Sequence, residues 1–274
     1  MNSTLTITNE EFQQLADYIR RYYGINLKEE KKALVIGRLQ NELVRKNISS
    51  FTDYFRYVTT DKTGDALIAL VDRITTNHTY FMREAEHFRF FRDVTVPYLK
   101  KTVSNRDLRI WSAGCSTGEE AYTLAMILDE QLSNDMPKWD KRVLATDISA
   151  RVLDKARSGI YSSEEITTVP AVWKTRYFKK IDNDRVMVAE NIKKEVIFRR
   201  FNLMDQVYPF KKKFHVIFCR NVMIYFDAKT KAELINKFYE HTEYGGYLFI
   251  GHSESINREE SKYRYIMPAV YRKE

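Results

Sequence analysis

The stretch WSAGCSTGEEAY at 111–122 contains a turn of small residues that joins a predicted strand to a predicted helix. Such a turn is a candidate ligand site. A dinucleotide site would need a third glycine in a G-x-G-x-x-G pattern, and a P-loop would need Gly-Lys-Ser/Thr, so neither pattern fits. Glu119 stands where phosphate binders avoid negative charge, because an anion repels phosphate and attracts cations. The turn therefore suits a cationic ligand without phosphate, such as S-adenosylmethionine, unless Glu119 and Glu120 merely favour the helix N-terminus.

Polar side chains also follow the next two predicted strands. Asp147 ends one of them and can bind the two ribose hydroxyls of an adenosine, or it can be the N-cap of the helix that starts near Ser149. After the other strand, Asn202 can hydrogen-bond an adenine edge while Leu203 covers the face of the ring. Both positions are consistent with an adenosyl ligand.

A fourth predicted strand ends in CRNVMIYF at 219–226. Asn221 offers a hydrogen-bond donor and an acceptor there, and Arg220 and Tyr225 are close to it in sequence. In an open α/β sheet, ligands bind beyond the carboxyl ends of the strands. Four such ends with polar residues therefore predict one crevice that holds an adenosyl-type ligand.

The elements that would position these residues have the pattern of an α/β domain. Short β-rich runs alternate with helical segments after residue 105, which predicts a parallel sheet with crossover helices. The alternation around Asn183 and Asp184 predicts a small antiparallel hairpin inserted at about 175–193. The predicted strands of the sheet cover 108–114, 142–147, 195–203, 214–221 and 246–251.

The first seventy residues have the pattern of a small helical bundle. Thr8 and Glu11 form a capping box, and Gly24 ends the helix that follows. Three more helices are expected before residue 75. Their predicted inward-facing residues are Leu34, Val35, Leu39 and Leu43 in the second, Phe51, Tyr54, Phe55 and Val58 in the third, and Leu67, Leu70, Val71 and Ile74 in the fourth.

Composition limits the class of protein but does not predict which partner the protein binds. The chain has 274 residues with 44% hydrophobic residues, which is typical of a globular protein. Its N-terminus has no leader pattern and no stretch could cross a bilayer, so we expect a cytoplasmic protein without membrane insertion. Cys115 and Cys219 have no metal-site spacing, and we expect reduced thiols and no metal. The formal net charge of +8 suits nucleic acid or a carboxylate-rich surface equally well.

Several motifs taken together resemble the chemotaxis receptor methyltransferases of the CheR type. They are ITTNHTYFMRE at 74–84, AGCSTGEEAY, ATDIS, FNLMD and CRNVMIYFD. The resemblance covers nearly the whole chain. It implies an all-helical domain at 1–75 followed along the chain by a methyltransferase domain at 76–274, which has a Rossmann-like sheet and the inserted β hairpin.

The resemblance also implies an activity, which is methyl transfer from S-adenosylmethionine to glutamate side chains on the cytoplasmic helices of methyl-accepting chemotaxis receptors. The products are a methyl ester and S-adenosylhomocysteine, and the enzyme is expected to be a monomer that does not act on nucleic acid. Arg83 and Tyr225 are implied to lie nearest the chemistry. The implied cofactor contacts are Asn77, Thr79, Arg83, Glu119, Asp147, Asn202, Leu203, Arg220 and Asn221.

Basic residues on the second helix are candidates for substrate binding. Arg38 and Arg45 are seven residues apart and so share one side of the helix, and Lys46 adds to their charge. They can face acidic receptor helices, or they can form a solvated face in which Arg38 pairs with Glu42. The inserted hairpin has the short turn KKIDNDRV without glycine, so we do not expect it to dock a receptor tail peptide.

Two other functions fit the residues less well. A nucleic-acid methyltransferase usually carries an Asn/Asp-Pro-Pro-aromatic segment after the fourth strand, whereas RNVMIYF has no proline. A non-catalytic protein that senses an adenosyl ligand would not need Arg83 and Tyr225. Neither function is excluded by sequence alone.

Overall fold

The computed structural model describes residues 6–75, 78–257, 259 and 261–274. The chain divides into two compact units, Met1–Asn77 with Tyr225–Thr230, and His78–Ile224 with Lys231–Glu274. The domain boundary between residues 75 and 76 stays a prediction. No helix in the described part of the chain is both long and apolar enough to span a bilayer.

The first unit begins with helix α1, Asn9–Tyr23, whose ends confirm the capping prediction. The Thr8 hydroxyl accepts a hydrogen bond from the Glu11 N–H, and the Glu11 carboxylate accepts one from the Thr8 N–H. Gly24 ends the helix at φ 69°, a left-handed conformation that costs glycine little. The apolar face of α1 is buried, as its helical spacing predicts.

Three further helices complete this unit, namely α2 (Lys32–Arg45), α3 (Phe51–Thr60) and α4 (Asp65–Ile74). A 3₁₀ turn, Glu29–Lys31, precedes α2. The residues predicted to face inward form one core, except that Leu34 and Phe55 are only half-buried. The predicted four-helix pattern is therefore confirmed.

The second unit contains a seven-stranded sheet. Its strands are β1 Ile110–Ala113, β2 Val143–Asp147, β6 Val196–Arg200, β7 Phe214–Cys219, β8 Thr242–Ile250, β9 Arg264–Met267 and β10 Val270–Arg272. They lie in the order β6-β2-β1-β7-β8-β10-β9, in which the first five are parallel and β10 and β9 are antiparallel. Connections that contain α-helices join β1 to β2, β2 to β6 and β7 to β8, whereas 201–213 joins β6 to β7 without a helix.

The remaining helices have the bounds α5 Ala85–Phe90, α6 Val96–Thr102, α7 Glu119–Leu132, α8 Ala150–Ser158, α9 Ala171–Tyr177, α10 Glu190–Lys193 and α11 Ala228–His241. A π-helical turn, Phe91–Thr95, joins α5 to α6, and a 3₁₀ turn, Met223–Tyr225, follows β7. The core includes the stacked rings of Phe218 and Phe249, whose centroids are 4.2 Å apart. The predicted α/β fold is confirmed.

The inserted β element is larger than the predicted hairpin. Strands β4 (Phe178–Lys180) and β5 (Arg185–Val188) form that hairpin, and β3 (Ile160–Ser162) pairs antiparallel with β5. The three-residue β3 is too short to show a periodic pattern in sequence. The antiparallel pair β9 and β10 also went unpredicted, since each of these strands has only three or four residues.

Candidate functional site

The loop between β1 and α7 contains residues with positive φ, a conformation that glycine adopts at little cost. Gly114 and Gly118 adopt φ values of 85° and 97°, and Ser116 adopts 47°. A Cβ on Gly114 would lie 2.4 Å from Cγ2 of Val222, so only glycine fits against the segment that follows β7. The N–H groups of Gly114 and Cys115 donate to the Thr146 carbonyl at the end of β2. The loop is thus fixed against two neighbouring strand ends.

Glu119 is the first residue of α7 and is almost completely buried. The Thr117 hydroxyl lies 2.8 and 2.7 Å from its two carboxylate oxygens. Burial raises the pKa of Glu119, because removal from water disfavours the charged form of the carboxyl group. Such a carboxyl is well suited to accept a hydrogen bond from an ammonium or hydroxyl group of a ligand.

Asp147 fixes the end of β2 to the glycine loop. Its Oδ2 accepts from the Ser116 N–H at 2.8 Å, and its Oδ1 accepts from the Ser149 N–H at 3.0 Å. The N-cap of α8 is Ser149, whose hydroxyl accepts from the Val152 N–H. The alternative that Asp147 is this N-cap is therefore wrong, and its place between loop and strand is compatible with ribose binding.

Asn202 and Leu203 follow β6 in a turn. The Asn202 Oδ1 accepts from the Met204 N–H at 3.0 Å, and the Leu203 side chain is buried. The Tyr208 hydroxyl donates to the Leu203 carbonyl at 2.7 Å. These contacts hold Leu203 in place, which a residue that covers the face of a ring requires.

The segment that carries Arg83 is anchored on both sides. Phe81 is completely buried, with its ring 4.9 Å from that of Tyr161, and its carbonyl accepts from the Thr168 hydroxyl at 2.6 Å. The Arg83 Nη1 donates to the His78 carbonyl at 2.8 Å, and the side chain remains partly exposed. Thr79 is also partly exposed. The predicted contact Asn77 lies outside the described residues.

Arg220 directly follows β7 and is buried between two carboxylates that sequence reasoning did not assign. Its Nη2 is 3.0 Å from Oε2 of Glu84, and its Nη1 is 3.1 Å from Oε2 of Glu120. Nη2 also donates to the Arg83 carbonyl. Arg220 therefore fixes the Arg83 segment to the end of β7, and its predicted contact with the cofactor stays a prediction.

Asn221 has a left-handed backbone, with φ 60°. Its N–H donates to Oε2 of Glu254 at 2.9 Å, and its Nδ2 donates to Oε1 of Glu84 at 3.2 Å. A Cβ on Gly251 would lie 2.9 Å from the Asn221 nitrogen. Glu254 is buried as well, and burial raises its pKa. The only sequence signal for Glu84 and Glu254 is that acids stand beside the Arg83 motif and after β8.

Glu84, His87 and His252 have ligand-type atoms within 4.8 Å of one another in the described part of the chain. This donor set can in principle hold a metal ion. The Arg220 guanidinium, however, contacts the same Glu84 carboxylate and repels a divalent cation. The geometry therefore favours an ion-pair network over a metal centre here.

Four predicted residues belong to the first unit. Tyr225 is partly buried against the helical core, and its carbonyl accepts from the Asn26 N–H at 2.8 Å. The Arg38 Nη1 donates to the last carbonyls of α4, with Ile74 O at 2.7 Å, and so caps that helix. Arg45 is 69% exposed and Lys46 is 32% exposed, and both line an open groove. Arg45 and Lys46 are thus accessible from the groove, and substrate binding by Arg38, Arg45 and Lys46 stays a prediction.

The groups in the second unit fit S-adenosylmethionine. Glu119 and Asp147 supply carboxylates for cationic and hydroxyl groups, and Asn202 and Leu203 supply an amide and an apolar cover for an adenine. Gly114 and Gly118 have positive φ and no Cβ, which lets Val222 and Ala156 pack against the turn and fixes its shape. The Glu119 carboxylate at the start of α7 would repel the phosphate of a phosphate-bearing cofactor.

Two family models match the chain. Residues 77–271 match the model described as CheR methyltransferase, SAM binding domain. Residues 10–75 match the model described as CheR methyltransferase, all-alpha domain. Together they cover almost all of the chain.

Curated relatives match over nearly their full length. A chemotaxis protein methyltransferase of Borreliella burgdorferi is 44% identical over 275 residues, which is 99% of this chain and 97% of the relative. Chemotaxis protein methyltransferase 2 of Pseudomonas aeruginosa is 36% identical over 98% of this chain and 95% of the relative. The chemotaxis protein methyltransferase of Escherichia coli K12 is 34% identical over 99% of this chain and 93% of the relative.

Proposed function

Because the chain belongs to the CheR methyltransferase family and methylates with S-adenosylmethionine in chemotaxis, we propose that its acceptors are glutamate side chains of chemotaxis receptors. The product on the receptor is then a glutamate methyl ester. Arg83 holds the acceptor carboxylate in this proposal. Glu119, Asp147, Asn202 and Asn221 bind the cofactor.

The observation that carries the proposal is the anchoring of Arg83. Its backbone is held by the buried Arg220 at the end of β7, and neighbouring Phe81 is fixed in the core. The guanidinium itself stays partly exposed and donates from Nη1 to the His78 carbonyl. An arginine has five N–H donors, so one on a rigid support can still orient an incoming carboxylate.

The chemistry needs positioning more than proton transfer. A glutamate carboxylate has an ordinary pKa near 4.3 and is already ionised at neutral pH, so no general base is required. Bound S-adenosylmethionine supplies an electrophilic methyl group on a sulfonium. Arg83 replaces water around one oxygen of the acceptor and leaves the other oxygen in line with that methyl group, where orientation contributes several kcal/mol.

The contact from Arg83 must not be too strong. A tight bidentate pair would stabilise the anionic acceptor, whose charge is lost as the ester forms. Arg83 therefore acts as an orienting donor to one oxygen. The role implied for Tyr225, which belongs to the first unit, stays a prediction.

Arg45 and Lys46 are proposed to bind the receptor. Both flank Glu42, which is buried and also lies 2.7 Å from Arg73. Arg45, Lys46 and Arg73 surround this carboxylate, while Asp61 and Asp65 line the same groove and balance their charge. The support for the proposal is therefore the exposed guanidinium of Arg45, which can reach an acidic helical surface.

The test is methylation with radiolabelled S-adenosylmethionine and a cytoplasmic receptor fragment. We expect label on the fragment that is released as methanol by mild alkali, as a carboxyl ester requires. A fragment whose candidate glutamates are replaced by alanine is the control and should stay unlabelled. RNA and DNA are tested in parallel. Alkali-stable label, label on nucleic acid, or tight cofactor binding with no label anywhere would contradict the proposal.

A further inference from the structure

We propose that Glu84 is a positioning residue that fixes the side-chain amide of Asn221, so that the Asn221 Oδ1 is presented as an acceptor to a donor group of the cofactor. The inference rests on the proposed function, because it takes Asn221 as a cofactor contact. It adds that Glu84 determines whether Oδ1 or Nδ2 of Asn221 faces the ligand.

Asn221 is held at its backbone and at its side chain by different carboxylates. Glu254 accepts the backbone N–H at 2.9 Å, and Glu84 accepts from Nδ2 at 3.2 Å. Gly251 leaves room for this arrangement, since a Cβ there would lie 3.0 Å from the amide carbon of Asn221. The position of Asn221 is therefore determined by contacts outside its own loop.

The orientation of the amide follows from the charge of Glu84. An ionised carboxylate accepts hydrogen bonds and cannot donate one, so only the NH₂ group of Asn221 can face it. Burial by itself would raise the pKa of Glu84, but the His87 ring and the Arg220 guanidinium together hold that pKa far below its usual range. The amide oxygen of Asn221 is thus turned away from Glu84, and it can accept a hydrogen bond from a donor group of a ligand.

Glu84 is itself held rigidly. Its Oε2 accepts from Nη2 and Nε of Arg220 at 3.0 and 3.3 Å and from the His252 N–H at 3.3 Å. Nδ1 of the buried His87 lies 3.3 Å from the same oxygen. With Oε2 occupied in this way, Oε1 is the oxygen left to meet Asn221.

A charge-neutral exchange of the two residues tests the proposal. Cofactor affinity is measured by calorimetric titration with S-adenosylmethionine between pH 6 and 9 for wild type, Glu84→Gln, Asn221→Asp and the double variant. In the double variant the NH₂ group of the introduced glutamine can donate to the introduced aspartate, which keeps one oxygen as the acceptor for the ligand. Aspartate, like asparagine, tolerates the left-handed backbone at position 221.

We expect Glu84→Gln to weaken cofactor binding about tenfold, because glutamine can either donate or accept and no longer selects one amide orientation. Asn221→Asp places two carboxylates in contact, and they share a proton at lower pH. Its affinity relative to wild type should therefore fall as the pH rises. The double variant should recover to within about threefold of wild type and lose this extra pH dependence.

Glu86→Gln is the matched control, since Glu86 is an exposed carboxylate on the same helical segment, and it should bind as wild type does. Thermal unfolding of each variant without ligand separates loss of fold from loss of orientation. If Glu84→Gln fails to fold, the pH profile of Asn221→Asp still decides. A profile parallel to that of wild type overturns the proposal, as does a double variant no better than the weaker single variant.

Asn221→Ala separates this inference from the proposed function. Unchanged cofactor affinity in Asn221→Ala would overturn the cofactor contact of Asn221 and this inference with it. Weakened affinity in Asn221→Ala, together with normal affinity in Glu84→Gln, would overturn the inference alone. Neither result bears on whether receptor glutamates are methylated.

Discussion

At the scale of single residues, the buried carboxylates of the second unit have pKa values shifted in opposite directions because they have different neighbours. Glu84 contacts the Arg220 guanidinium, and its pKa is far below the usual range despite burial. Glu119 and Glu254 are buried against hydroxyl and N–H donors, and burial raises the pKa of each. The contacts of a buried carboxylate therefore decide in which direction its pKa moves.

Arg83 and Asp147 are predicted to separate methyl transfer from cofactor binding. Arg83→Ala should lower the transfer rate about a hundredfold or more, because it removes an oriented donor, while cofactor affinity changes less than about threefold. Asp147→Ala should weaken cofactor binding about tenfold. Single-turnover methylation and calorimetric titration measure the two effects. Arg89→Ala, at an exposed arginine on α5, is the control, and the reverse order of effects would contradict both roles.

At the scale of elements, a histidine helps to join β1 to β7. The Nδ1 of buried His215 accepts from the Arg109 N–H at 3.1 Å, so the ring must be unprotonated at this nitrogen. Burial, aided by the Arg109 charge, lowers the pKa of His215 to about 4. The strand pairing therefore depends on a neutral imidazole.

The free energy of unfolding is predicted to decrease as the pH falls from about 6.5 to about 4. In this window the unfolded chain binds a proton at His215 and the folded protein does not, so protonation favours unfolding by up to about 3 kcal/mol. His215→Asn keeps an acceptor for Arg109 but does not titrate, and its stability should fall less steeply. Urea unfolding at a series of pH values measures the slopes. His78→Asn, at an exposed histidine, is the control, and equal slopes for His215→Asn and wild type would be evidence against the role.

At the scale of the whole molecule, the protein has a net charge of +8 and is proposed to bind both an acidic receptor surface and a cationic cofactor. The charges proposed for the receptor are exposed, as at Arg45, whereas Glu119 is buried. Exposed charges are screened by salt over about 8–10 Å, and buried ones are screened much less. Ionic strength should therefore act on the two binding events differently.

Salt is predicted to weaken receptor binding selectively. Raising the ionic strength from low to above physiological values should increase the KM for a receptor fragment about fivefold, with less than about a twofold change in cofactor affinity. Initial methylation rates and calorimetric titration in a salt series measure both. Arg45→Glu should raise the KM and flatten its salt dependence, with Arg56→Glu, at another exposed arginine paired to an acid, as the control. A salt-independent KM would count against a charged receptor surface.

Much of the architecture could be predicted from the sequence because it depends on local patterns. The capping box of Thr8 and Glu11, the stop at Gly24 and the five parallel strands of the sheet all follow from spacing and residue type. The motifs were specific enough to identify the family. The three-residue strand β3 and the late antiparallel pair β9 and β10 were missed, since short strands have too few residues for a period.

The partners of the charged residues depend on the tertiary structure. The guanidinium of Arg220 meets Glu84 and Glu120, which lie 136 and 100 residues away in sequence, and its contact with the cofactor stays a prediction. Arg38 was a candidate for a receptor contact or for pairing with Glu42, and the folded chain adds that its Nη1 caps α4. Local spacing determines which face of an element a side chain occupies, whereas its partner across the fold is set by how strands and helices pack. The sequence alone thus determined the fold class and the family, and only the folded chain decided which charges are left for a ligand.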